Sequence, residues 1–358
     1  LSKTENGDIC DMIKWSTFKY LIAFIPAILF IISINIEVYG LTLLWVYGLV
    51  QVLDFLSKES NSLNSDAVEQ EVSNAFMYDL IIWLSLPIQY IILYLFLKTI
   101  SIDSLTIWNQ ILLTLSYGMC AAIYGINVAH ELGHRIRKLE QWMAKLLLLT
   151  AQYTHFTIEH NFGHHKHVGT DCDAASAKLN ENVYFFVCKS VFYGYISAWD
   201  IECKRLRNRS LSFWTLDNGM IVNTLLQLFF LSIIIFIYDI RTCLFFMASA
   251  FVAIFFLEAI NYIQHYGLRR QLKPDGSFEK VQLWHSWNSN FPFGRLALFE
   301  LSRHSDHHDK SQRKYQTLRP YPECPQLPTG YPGMVILALF PPLFFRVMNP
   351  KITKLQVY

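Results

Sequence analysis

The chain is 358 residues long, 53% of them hydrophobic, with 27 Phe, 19 Tyr and only 16% charged residues. That is a membrane composition. Formal net charge is +2 and no basic run is interleaved with base-stacking aromatics, so nothing in the sequence points to a nucleic-acid partner.

Crossing roughly 30 Å of hydrocarbon takes about 20 apolar residues in a helix. Six stretches meet that length, over approximately 17–36, 38–56, 76–98, 107–129, 217–238 and 243–265. Pro26 and Pro87 fall inside the first and third, which lipid-embedded helices tolerate when neighbours satisfy the freed carbonyls. The first stretch is longer than a signal-peptide core and lacks a small-residue cleavage site after it, so it is expected to remain as an anchor. Between the second and third, residues 57–75 form a polar loop. Segments 130–216 and 266–358 hold 11 and 13 of the 30 Lys and Arg, whereas the connections 99–106 and 239–242 hold only Arg241. The positive-inside tendency therefore puts both large segments, the loop and both termini in the cytoplasm. The tail stretch 334–345, "MVILALFPPLFF", is short and broken by Pro, and is expected to fold back on the core as an interfacial or re-entrant segment.

The seven cysteines, at 10, 120, 172, 188, 203, 243 and 324, never form a C-x-x-C pair. That excludes an in-chain rubredoxin, zinc-ribbon or ferredoxin centre, and no disulfide framework is suggested. The histidines behave differently. Nine of twelve fall into four groups: His130 and His134 in "HELGH", His160, His164 and His165 in "HNFGHH", His265 in "NYIQHYG", and His304, His307 and His308 in "HSDHH". Two histidines at i and i+4 lie on one helical face, so a single metal can take both, and an adjacent third can reach a second metal. Neutral imidazole is a good ligand for first-row metals, and nine exceed what one ion coordinates, so two metals fit the count. Ionisable groups near a bilayer are expensive and by default functional. His155, His167 and His285 lack this spacing and are expected in structural or surface roles, or behind the ligands.

"HELGH" alone satisfies the H-E-x-x-H signature of zinc proteases, with Glu131 as the base. A protease zinc needs only three protein ligands and an open position, which leaves most of the remaining histidines without a purpose.

The four groups, in this order and spacing among six spans, resemble the membrane-bound non-haem di-iron hydroxylases, and specifically the alkane 1-monooxygenases. The similarity runs from about residue 76 onward. It is carried by "NVAHELGHR" (127–135), "IEHNFGHHKHVGT" (158–170), "NYIQHYGL" (261–268), "HSWNSN" (285–290), "LSRHSDHH" (301–308) and "YQTLRPYPECPQLPTGYPGM" (315–334). The last three motifs set it apart from xylene-type relatives and fatty-acid desaturases.

The resemblance implies an all-α integral membrane protein of the inner (cytoplasmic) membrane, a single hydroxylase domain over 1–358 with six transmembrane helices. Its cytoplasmic histidine-rich di-iron site would be built by segments 130–216 and 266–330. It implies two iron ions held by His130, His134, His160, His164, His165, His265, His304, His307 and His308, with O2 as co-substrate. A medium- or long-chain n-alkane would become the 1-alcohol, with two electrons from reduced rubredoxin and a rubredoxin reductase upstream. The alternative is a related membrane di-iron oxygenase acting on alkyl-aromatic methyl groups or fatty acyl chains. The chemistry agrees: breaking an unactivated C–H bond is beyond side-chain acids and bases, and zinc cannot cycle its oxidation state. Glu131, Glu159, Glu258, Asn261 and Asp306 are expected behind the ligands, where a metal-bound histidine usually donates its other N–H to an oxygen. An alkane partitions into lipid, so a channel from the bilayer between the spans is expected to feed the site, while aromatics such as Trp45, Phe55 or Trp83 are read first as helix packing or interface anchors and only second as channel lining. Arg135, Arg137, Lys138, Lys166, Arg303, Lys310, Arg313 and Lys314 are expected to form a positive rim that steers the acidic electron donor.

Overall fold

Apolar residues at helical spacing dominate the chain, and in the computed structural model, which describes residues 16–61 and 66–355, they form helices throughout. Among the described residues there is no strand, only two isolated bridges. Cys10, the N-terminus and residues 62–65 of the expected 57–75 loop lie outside the described residues, while 66–74 of that loop is helical.

Five helices are long and apolar enough to cross a membrane: α1 (Ser16–Asn35), α4 (Phe76–Ile100), α5 (Ile107–Gly133), α9 (Gly219–Ile237) and α10 (Ile240–His265). Between α1 and α4 lie α2 (Leu41–Leu56) and α3 (Asp66–Asn74). α6 (Lys138–Leu149), α7 (156–167) and α8 (Val183–Asn208) separate α5 from α9. After α10 come α11 (Pro292–Ala297), α12 (His304–Asp309), α13 (Tyr331–Ala338) and α14 (Pro341–Leu355). The helical, membrane-embedded architecture agrees with the sequence reading. The second expected span coincides with a shorter apolar helix, 41–56. Its Asp54 is fully buried and accepts backbone N–H bonds from Phe293 (2.8 Å) and Gly294 (3.1 Å), so α2 is tucked against the first turn of α11.

Helix starts follow their capping residues. Thr106, Asn182, Asn218 and Asp239 each accept a backbone N–H from the first turn of the helix that follows. Pro26 sits in the first turn of the α-helical part of α1, where its missing N–H costs nothing. At the other end of α10, Gly267 adopts φ 70° and its N–H bonds Ala177 O at 3.0 Å, stopping the helix just after His265.

Lipid gives no hydrophobic drive for helices to associate, so close approach through small residues must do it. α5 provides the example: a Cβ on Gly118 would lie 2.6 Å from Val252 Cγ1 and 2.8 Å from Ser249 O of α10. The tail folds back as expected. Phe344, Met348 and Ile352, four apart along α14, are buried, and Phe344 packs 5.0 Å from Tyr262 and 4.9 Å from Tyr266. This layering leaves the ends of α5 and α10, with α7 and α12, facing one another.

Candidate metal centre

All nine grouped histidines converge there, in two clusters. His130, His134, His160, His165 and His307 form one; His164, His265, His304 and His308 form the other, with ligand-type atoms inside each cluster within 4.8 Å of one another. The clusters adjoin, since the His165 and His308 rings lie 4.5 Å apart.

Two helices contribute to both clusters by different rules. On α12, His304 and His308 sit four apart and share a cluster, while His307 turns to the other, as α-helical spacing expects. On α7 the expected i, i+4 pair does not share. His160 joins His165 instead, and His164 goes to the second cluster. The cause is local: 160–164 is a π-helical turn in which His165 N–H bonds His160 O, so a step of five returns to the same face.

The donor set suits cations. His130 Nε2 approaches His307 Nε2 at 2.9 Å, and His307 Nε2 also faces His165 Nε2 at 3.1 Å; His304 Nε2 faces both His265 (3.0 Å) and His308 (3.0 Å). One hydrogen can serve each contact at most, so lone pairs are in surplus. Burial, then the neighbouring imidazoles, pushes His160, His165, His304, His307 and His308 well below the ordinary value, and His134 down to about 4. They are therefore neutral, with nitrogens free to coordinate. His164 behaves otherwise. Burial lowers it, but its Nδ1, 2.9 Å from Asp173 Oδ2, raises it overall. With the Nδ1 proton held by Asp173, its Nε2 is a buried acceptor with no donor among the described residues.

Asp173 is thus the carboxylate behind a histidine that sequence reasoning missed. Nine residues separate it from His164, and only the fold of 168–176, where Ser176 Oγ also donates to it at 2.5 Å, brings it back. The expected carboxylates do other work. Glu131 takes Arg135 at 2.7 Å, and Asp306 is held by both ends of its carboxylate on Arg313, 2.7 Å each. Arg135 also meets Asp79 at 2.7 Å and Glu140 at 3.3 Å, clamping the end of α5 to α4 and α6. Glu258 accepts from Tyr153 (3.0 Å), Ser190 (2.6 Å) and Asn261 (3.3 Å). It shares a small cavity with Glu159, His155, His160 and His164. Burial, then Asp173, raises Glu159 to about 8, so it is neutral there. His155 packs between the Tyr153 and Tyr195 rings at 4.7 and 5.0 Å, and its buried Nε2 has no hydrogen-bond partner among the described residues. His285 bonds Gln282 N–H (2.9 Å) and Glu279 (3.1 Å), and neither it nor His167 enters a cluster.

A second, apolar cavity lies among α1, α2, α5, α10, α11 and α13, with Trp45, Met119, Phe256 and Tyr331 in its walls. Asn127, three residues before His130, also lines it and donates to Leu298 O at 3.1 Å. Of the other two aromatics singled out with Trp45, Phe55 is 84% exposed, and the Trp83 indole donates to Glu140 at 3.2 Å. The expected positive rim is also thinner than the sequence suggests. Arg135 and Arg303 are buried, Arg313 is paired with Asp306, and Lys314 bonds Asp79 at 3.0 Å, leaving Arg137, Lys138, Lys166 and Lys310 exposed.

Residues 106–334, which include every clustered histidine, match the fatty acid desaturase family. An alkane 1-monooxygenase of Pseudomonas putida is 35% identical over 314 residues, 88% of this chain and 78% of the relative. The chain belongs to the alkane 1-monooxygenase family. Alkane 1-monooxygenase 2 of Alcanivorax borkumensis is 34% identical over 97% of this chain and 94% of the relative. A xylene/toluene monooxygenase hydroxylase component of Pseudomonas putida is more distant, 30% identical over 66% of this chain and 63% of its own length. Membership makes the chain an oxidoreductase, a membrane-embedded, desaturase-like oxygenase whose histidine clusters fit metal binding.

Proposed function

We propose that the protein hydroxylates the terminal carbon of medium- or long-chain n-alkanes, R–CH3 with O2, two electrons and two protons giving R–CH2OH and water. The observation that carries this reading is the pair of buried histidine clusters standing three residues along α5 from an apolar, aromatic-walled cavity. His130, His134, His160, His165 and His307 would hold one iron, and His164, His265, His304 and His308 the other. When bound, the irons supply the redox chemistry with O2 that an unactivated C–H bond demands.

The chain's own residues then position and exclude. Asp173 holds the His164 proton on Nδ1, so that Nε2 faces its cluster. Asn288 accepts Ser305 N–H at 2.9 Å and donates to its hydroxyl at 2.7 Å, fixing the first turn of α12. The walls of the apolar cavity keep water from an alkyl chain and aim it toward the Asn127 end. These 358 residues hold no C-x-x-C pair to carry a rubredoxin centre, so electrons must come from outside them, and we infer that the donor is rubredoxin. The basic segments orient the metal centre to the cytoplasmic side of the inner membrane.

The xylene/toluene relative supports a second reading, attack on an alkyl-aromatic methyl group or an acyl chain. One assay separates the two. Purified protein is analysed for iron, then given O2, reduced rubredoxin and a ladder of n-alkanes beside xylene and an acyl ester. Two irons per chain with 1-alcohols as the fastest products are expected; faster turnover of xylene or the ester moves the assignment to the second reading. One zinc per chain with full activity would refute the di-iron site.

A further inference from the structure

Each monooxygenase turnover consumes two protons, which with two electrons turn one atom of O2 into water while the other enters the alcohol. His160 and His164 are buried, and the apolar cavity beyond Asn127 excludes water, so the protons need a polar way in. The small cavity shared by Glu258, His160 and His164 provides its inner end. At about 10 Å³ it has room for one water, and Glu258, Ser190 and Asn261 line it with the hydrogen-bonding groups that a buried water requires. Glu258 belongs to neither cluster, yet it is a buried carboxyl inside the apolar helix α10, a setting in which carboxylates relay protons. Ser190 Oγ donates to its Oε2 at 2.6 Å and Tyr153 OH to its Oε1 at 3.0 Å.

A third cavity lies across Ala174 from this one. About 270 Å³ in volume, it is lined by Asp171, Lys178, Lys189, Tyr193 and Arg269, and the exposure of Asp171 and Lys178 opens it to water. Ala174 borders both cavities. Helix α8 supplies consecutive residues to the two, Lys189 outside and Ser190 inside, then Tyr193 outside and Gly194 inside, so a single residue separates them. Gly194 keeps the inner side clear, since a Cβ there would meet nothing nearer than Glu159 Cγ at 3.8 Å.

We propose that the protons of the reaction travel from this outer cavity past Ala174 to Ser190 and Glu258, and from there across one water to the histidine clusters. Glu258 releases a proton to the inner water and takes the Ser190 hydroxyl proton in its place, and a water at Ala174 reprotonates Ser190 Oγ. The relay runs twice per turnover and carries no electrons, which come from the external donor. We take the demand for protons, and nothing else, from the hydroxylation reading.

The test uses the whole protein in detergent, with iron content and helical circular dichroism as controls. Infrared spectra identify the Glu258 carboxyl as the band lost in Glu258→Gln. On transfer to D2O that band is expected to shift at least about tenfold more slowly in Ala174→Leu, which plugs the wall, than in the unmodified protein, with Ala174→Val between the two. Cys188→Leu, at an exposed position of α8 that lines neither cavity, should exchange at the unmodified rate. In turnover, Glu258→Gln and Ala174→Leu are expected to lower kcat at least about tenfold and raise its solvent isotope effect, with KM for the alkane unchanged. If Ala174→Leu loses iron, Ala174→Val decides. Exchange gated at Ala174 in a protein that hydroxylates no alkane supports the passage and removes the hydroxylation reading. Hydroxylation with the same exchange rate in every variant, or with full kcat in Glu258→Gln, overturns the passage alone.

Discussion

Helices α5 and α9 are both long enough to cross a bilayer, yet 83% of the apolar stretch of α5 is buried inside the protein against 17% for that of α9. α9 is the more apolar and carries no clustered histidine; α5 contains Gly118, Asn127, His130 and Glu131. In lipid the outer surface must be apolar, so hydropathy is greatest where burial is least, and polar groups such as His265 and Glu258 of the apolar α10 sit on its buried face. Function in this fold is therefore sought on the protein-facing sides of the spans.

The contrast is broken most severely at the clusters. His307→Ala removes a nitrogen facing both His130 and His165, and should abolish hydroxylation while lowering metal content, with the helical circular dichroism intact. The loss should exceed the roughly 10–100-fold typical of residues behind a ligand. His285→Ala, outside both clusters, should spare the metal. Equal metal loss in both variants would show that the clustering has no functional meaning.

Asp173→Asn keeps the shape but not the charge that orients His164. Metal affinity, read by chelator competition, should drop about 10–100-fold. Unchanged retention would mean that the Asp173 contact only braces the loop.

Packing offers a direct comparison of the two helices. Gly118→Leu in α5 drives a side chain into Val252 and Ser249 and should cost about 1–3 kcal/mol or more. Leu228→Ala on α9, at a position 56% exposed, should stay within about 0.5 kcal/mol. Melting curves in detergent decide, and a larger loss for Leu228→Ala would reverse the assignment of core and lipid faces.

The smallest effect is expected at the surface. Lys138→Glu with Lys310→Glu should slow reduction by rubredoxin a few-fold and flatten its salt dependence, because steering weakens as the Debye length shrinks from about 10 Å at 0.1 M to about 3 Å at 1 M. A rate indifferent to both salt and substitution places the docking face elsewhere.

Much of this was legible before any coordinates. The long spans follow from length and apolarity, and the nine histidines stand out because imidazole is rare in such a composition and their spacing is helical. What stayed hidden depends on backbone detail or on competition. The His160–His165 pairing needs a π turn that no side chain announces. Asp173 needs a loop to double back, while Glu131 and Asp306, nearer in sequence to a histidine, are taken by Arg135 and Arg313, stronger partners than a neutral ring. Nor did the apolar run of 38–56 announce that Asp54 near its end would be buried against Phe293 and Gly294, a contact between segments far apart in sequence.

Because α7 and α12 each deal adjacent histidines to opposite clusters, the two clusters share a chassis. Sliding or rotating either helix displaces members of both at once, so neither pocket can be retuned independently. The spacing between them is a mechanical property of two short helices, and a one-residue insertion in "HNFGHH" or "HSDHH" would scramble both sites together.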